Sequence, residues 1–114
     1  MIILKDSLFS NLAVGDTAAL KTALQQAIML EHSTIPAYLY ALYSIKANSN
    51  ALIRGLMQSV VVEEMLHMSL ACNILNAIGG NPVIDDPGFL PRYPGPLPGA
   101  VETGLIVPLQ AFSL

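Results

Sequence analysis

The sequence predicts an all-α fold: two long helices packed as an antiparallel hairpin, half of a four-helix bundle, followed by an extended segment rich in proline and glycine. Apolar residues recur at steps of three, four and seven through residues 16–47 and again through 50–79, which is the period of a helix face. Asn48-Ser49-Asn50 separates the two stretches, and so short a connection makes the helices antiparallel neighbours. Seven of the eight prolines fall between Pro82 and Pro108, where neither a helix nor a central strand can form.

Gly15-Asp16-Thr17 opens the first helix, with Asp16 or Thr17 able to accept from its first free amides. Leu24, Ile28, Ile35, Leu42 and Ile45 mark its apolar face. Pro36 lies inside it, removes one backbone hydrogen bond and is expected to kink it, either as a tolerated bend or as one that shapes a site. Asn48-Ser49-Asn50 supplies the next cap. The second helix carries Ile53, Met57, Val60, Ala71, Ile74 and Ile78 on one stripe and stops at Gly79-Gly80, with Pro82 beyond. Each helix, at about 30 residues, is roughly 45 Å long. Met57, Met65 and Met68 are expected to fill the core, and Cys72 to serve as a small buried hydrophobe. Residues 80–114, with Asp86-Pro87-Gly88-Phe89-Leu90-Pro91-Arg92-Tyr93-Pro94-Gly95-Pro96 at their centre, are too apolar for a free linker. They are expected to pack in extended form over the helices. The 114 residues make one domain, without internal repeats.

Composition narrows the surroundings. The chain is 54% hydrophobic and 11% charged, against roughly 25% charged in ordinary soluble domains. So little charge cannot cover a small isolated domain, whose surface is large for its volume. Apolar faces are therefore expected to be covered by another copy of the chain, by a membrane, or by a further stretch of the same gene product. A spanning helix needs about 20 apolar residues without charge, and Glu31 and His32, or Glu63, Glu64 and His67, interrupt both helices. Met1-Ile-Ile-Leu-Lys5-Asp6 has no basic region ahead of an apolar stretch, so no secretory signal is read there. The single cysteine, Cys72, has no internal disulfide partner, and a cytoplasmic location is expected. A net charge of -3 with five scattered basic residues argues against nucleic acid as a partner.

The chemistry lies where the apolar stripes are broken. In the first helix the series Leu24, Ile28, Glu31, Ile35, Tyr38 places an acid at a core-facing step. In the second, Val60, Glu64, His67, Ala71 places an acid and an imidazole at consecutive steps of one face. Counted from the loop, Glu31 lies about 27 Å up the first helix, and Glu64 and His67 about 23 and 27 Å up the second. The three groups therefore reach one level of the hairpin. A buried carboxylate needs a positive partner, yet no lysine or arginine occurs between Arg54 and Arg92, and Lys21, Lys46 and Arg54 lie far along the helices. A metal ion is the simplest neutraliser, and this donor set suits iron, manganese or zinc. A glutamate on one helix with Glu-x-x-His on its neighbour is the half-site of di-iron bundles.

A complete site of two ions needs two such halves. Two copies of the hairpin would supply four glutamates and two histidines, so a homodimer or larger homo-oligomer is expected, unless a second half lies outside these residues. Glu63 is read as a boundary acid behind the ligands, with a bridging role as the alternative. His32 is read as a hydrogen-bonding residue at the boundary rather than a ligand. Tyr38 is the tyrosine placed to stand behind the site; Tyr38, Tyr40 and Tyr43 otherwise serve packing.

The runs Leu30-Glu31-His32-Ser33-Thr34-Ile35-Pro36-Ala37-Tyr38-Leu39 and Glu63-Glu64-Met65-Leu66-His67-Met68, then Ala71-Cys72-Asn73-Ile74-Leu75-Asn76-Ala77-Ile78-Gly79-Gly80, resemble a bacterial ferritin-like family. Pro91-Arg92-Tyr93-Pro94-Gly95-Pro96-Leu97-Pro98 and Phe112-Ser113-Leu114 fit it too. This family is associated with the iminophenyl-pyruvate dimer synthase of violacein biosynthesis, which contains a similar domain. The resemblance implies a ferritin-like fold with Glu31, Glu64 and His67 at the metal-ligand positions. It also implies that a second half-site follows the Phe-Ser-Leu segment in longer members. Three functions stay open: a di-iron oxidase or oxygenase acting with oxygen or peroxide on a small organic substrate, a metal-binding module without turnover, and a structural helical association domain.

Overall fold

The computed structural model describes residues 15–113; the reading of Met1–Asp6 concerns residues outside that range. Helix α1 spans Thr17–Ser44 and helix α2 spans Ala51–Ala77, packed side by side as an antiparallel hairpin. The tail holds two short 3₁₀ turns, Pro87–Phe89 and Pro98–Ala100, and a two-stranded antiparallel ribbon of β1 (Gly95–Pro96) and β2 (Ile106–Val107). Among the described residues, the fold is all-α apart from that ribbon. Among the described residues, no helix is long and apolar enough to cross a membrane.

The helix ends follow from local chemistry. Asp16 accepts from the amides of Ala18 and Ala19, each at 3.0 Å, and so satisfies two donors that a helix start leaves free. The stop of α2 is a Schellman closure: Gly79, at φ 73°, donates to Asn76 O, and Gly80 donates to Leu75 O at 2.8 Å. A Cβ on Gly80 would fall 2.2 Å from the Leu75 side chain, so the second glycine is a steric requirement. The loop departs from expectation. Asn50 occupies the cap position of α2 in left-handed conformation and makes no side-chain cap bond. Helix α1 also ends at Ser44, short of residue 47, because Ile45 is already extended.

The C-terminal end of each helix is closed by a cation from the other helix. Arg54 of α2 donates to the Ile45 carbonyl at 2.6 Å and the Lys46 carbonyl at 3.2 Å, beyond the end of α1. Lys21 of α1 donates to Gly79 O at 2.9 Å, beyond the end of α2. Positive charge is favourable at both places because helix dipoles end negative there.

The core runs between the helices and under the tail. Ile28, at 0% exposure, packs with Ala71, Leu75 and Phe89, flanked by Leu24, Met29, Met68, Cys72 and Ile78. Ile35, Leu42, Ile45 and Val61 continue it toward the loop. On α2 the buried row is Val61, Ala71 and Leu75; the expected Val60 is only half-buried and Ile74 is exposed. The shift has a physical cause. Helix α2 carries a second apolar flank, with Leu56, Leu70 and Ile74 exposed, beside the one that meets α1. Met65 is exposed as well, so it does not fill the core as expected.

The tail covers one flank of α1. The Gln25 side-chain amide makes both bonds that a neighbouring strand would make with Val83, at 2.9 Å each. Phe89 stacks on His32 with centroids 4.5 Å apart. The Tyr93 hydroxyl donates to the Ser33 carbonyl, and Phe112 N donates to Ser44 Oγ at 2.7 Å. Pro36, which can give no amide hydrogen to the preceding turn, sits beside these contacts within α1. At about 100° per residue, Glu31 and Tyr38 fall on the opposite flank, which the tail leaves open.

Candidate metal centre

Three side chains meet at mid-height on that open flank. One ligand atom each from Glu31, Glu64 and His67 can be chosen so that all lie within 4.8 Å of one another. His67 Nδ1 stands 3.5 Å from Glu31 Oε2. Glu31 comes from α1 and the other two from α2, three positions apart and hence on one face. Two atoms bound to the same ion at about 2.1 Å lie at most about 4.2 Å apart, so small side-chain rotations close this triangle onto a cation. The donors, two carboxylates and an imidazole, are those that iron, manganese and zinc accept.

The surroundings favour a cation. Among the described residues, no lysine or arginine pairs with Glu31 or Glu64; Lys21 and Arg54 are engaged at the helix ends. Burial first, and then the adjacent Glu64 carboxyl, push the Glu31 carboxyl from its ordinary 4.5 up to about 7, against an opposing pull from His67. Two carboxyl groups this close cannot both ionise cheaply without a positive centre or a shared proton. The site is nevertheless not sealed in a core. The His67 side chain is 51% exposed and that of Glu31 26%, because a single hairpin covers the group on one side only.

A pH dependence follows. Between pH 4.5 and about 7 the folded chain keeps a Glu31 proton that the unfolded chain has released. Stability of the metal-free protein should therefore fall as pH rises across that window. Melting temperature is expected to be higher at pH 5 than at pH 8, with a shallower slope in Glu31→Gln. Parallel profiles for the two proteins would refute this.

The other candidates lie elsewhere. His32 is on the tail side of α1, stacked on Phe89; burial lowers its basicity, and its Nδ1 has no hydrogen-bond partner. Nδ1 does not supply the hydrogen bond expected of His32. Glu63 is exposed and outside the cluster. Tyr38 is exposed on the same flank as Glu31, two turns on, while Tyr40 and Tyr43 are also exposed and so pack little. Sequence reasoning passed over Thr34, whose hydroxyl stands 2.9 Å from Glu64 Oε2. Its signal was there: a hydroxyl three residues after a candidate ligand shares that ligand's side of the helix. It also passed over Phe89, which is buried against the core.

Fold and site together define a class, a helical hairpin with paired carboxylates and a histidine on neighbouring helices. The chain belongs to the ferritin-like family, which it matches over residues 24–114, a span holding Glu31, Glu64 and His67. No curated protein and no solved structure matches it.

Proposed function

We propose that this hairpin carries one half of a carboxylate-bridged di-metal centre, with iron as the metal and Glu31, Glu64 and His67 as its ligands. The observation that carries the reading is the convergence of the three donor atoms within 4.8 Å where, among the described residues, no lysine or arginine pairs with them. Manganese or zinc would be accepted by the same donors. The second half comes from another copy of the hairpin, docked on the open flank where Leu56, Leu70 and Ile74 stand exposed. Three protein ligands fill only part of the coordination of two ions, whereas two copies would present six.

The residues divide the work. His67 offers a ring nitrogen, and the glutamates offer oxygens able to bridge two ions or bind one. Glu31 gives up its proton when a cation arrives, so affinity should rise with pH to about 7. Ile28 and Ile35 keep water from beneath the group. Bound iron would supply redox chemistry with dioxygen or peroxide. Together with the resemblance to the domain of iminophenyl-pyruvate dimer synthase, this makes oxidation of a small organic substrate, in secondary metabolism, the reaction class we assign. Fold analogy carries that last step, and the donor set carries the metal.

One observation favours a second reading. A proton held on Glu31 beside Glu64 stabilises the pair by itself, which suits a structural association domain or a metal-binding module without turnover. Metal analysis of purified protein, before and after anaerobic ferrous iron, separates the readings. One iron per chain in a two-chain assembly is expected, with dioxygen consumed on exposure to air. A protein that takes up no iron ends the proposal; a monomer holding two irons removes the second copy; uptake without oxygen consumption leaves the binding module.

A further inference from the structure

We infer that Thr34 is the positioning residue for the Glu64 carboxylate, a role that rests on the metal reading of Glu64. Thr34 lies on α1, one turn beyond Glu31, and its hydroxyl reaches across the hairpin to α2. Its Oγ1 stands 2.8 Å from the Glu31 backbone carbonyl and 2.9 Å from Glu64 Oε2. A hydroxyl has one proton, so it donates fully to one of these oxygens at a time. Helical threonines ordinarily give that proton to the preceding turn, as the neighbouring Ser33 hydroxyl does to the Leu30 carbonyl at 2.7 Å. Thr34 differs in having a carboxylate within reach, and a charged acceptor makes the stronger bond.

The Thr34 proton therefore turns to Glu64 Oε2. That bond fixes the plane of the carboxylate, whose remaining lone pairs would be free to hold a metal. It also ties a ligand of α2 to the backbone turn that carries Glu31. The hydroxyl is thus common to both helices, and it holds the separation between the two glutamates. Outer partners of this kind alter metal affinity by about 10–100-fold when removed.

Anaerobic titration with ferrous iron, followed by competition with a chelator, tests the role in wild type, Thr34→Val and Thr34→Ser. Valine keeps the branched shape and loses the donor, and its affinity is expected to fall by about 10–100-fold. Serine keeps the donor and should recover affinity to within a few-fold of wild type. In the metal-free protein, carbon-13 NMR of the Glu64 carboxyl should shift in Thr34→Val and return in Thr34→Ser, a readout that needs no metal. Unchanged affinity and an unchanged carboxyl resonance in Thr34→Val would overturn the inference, as would a loss that serine does not recover. If wild type binds no iron, the metal reading falls first and Thr34 loses its role with it.

Discussion

Glu64→Ala is expected to weaken iron binding by more than about 100-fold, beyond the ~10–100-fold range of changes behind the ligands. The substitution removes one of three donors and leaves only Glu31 and His67, on opposite helices. It also frees the Thr34 hydroxyl, which then has the Glu31 carbonyl as its remaining acceptor. Glu64→Gln keeps the shape and the hydrogen bond but removes the charge, so a similar loss is expected there. The fold should survive both changes, since Glu64 is half-buried and next to an open flank. Circular dichroism alongside equilibrium dialysis would check this. Full iron occupancy in Glu64→Ala would remove that residue from the ligand set.

Ile28→Ala should have the largest effect on stability. Ile28 has no exposed surface and packs against Ala71 and Leu75 of α2 and Phe89 of the tail, so it joins all three parts of the molecule. Truncating a buried isoleucine to alanine costs about 2–5 kcal/mol, a large share of the roughly 5–15 kcal/mol that holds a typical domain folded. Near 100 residues each kcal/mol moves the melting temperature by about 4–8 °C, so a fall of about 10 °C or more is expected by calorimetry. Ile28→Val, which leaves a smaller void, should cost about 0.5–1.5 kcal/mol. A melting temperature for Ile28→Ala within about 2 °C of wild type would show that the tail and helices do not share one core.

The sequence made the hairpin and its chemistry legible for local reasons. A helix start at Asp16 and a stop at Gly79-Gly80 are set by groups within a few residues of each other. Glu31, Glu64 and His67 stood out because acids and an imidazole interrupted apolar rows, and helix rise sufficed to bring them to one level. What stayed hidden depended on partners far along the chain. Val60 and Ile74 could not be told from Val61 and Leu75, because periodicity reports how polar a face is and not which neighbour covers it. Phe89 and Thr34 gain their roles from contacts with His32, Ile28 and Glu64, between 30 and 61 residues away in sequence. The left-handed Asn50 is likewise a matter of chain direction at the turn, where a cap read from residue type alone is not enough.

The two crossed cations at the ends of the hairpin act as stops against sliding. Were α2 to slip past α1 by one turn, about 5.4 Å, Arg54 would leave the Ile45 carbonyl and Lys21 would leave Gly79 together. The same slip would carry Glu64 and His67 that far from Glu31, outside the span of any single ion. Lys21 and Arg54 thus measure out the alignment of the ligands from points near each end of the molecule, without touching them.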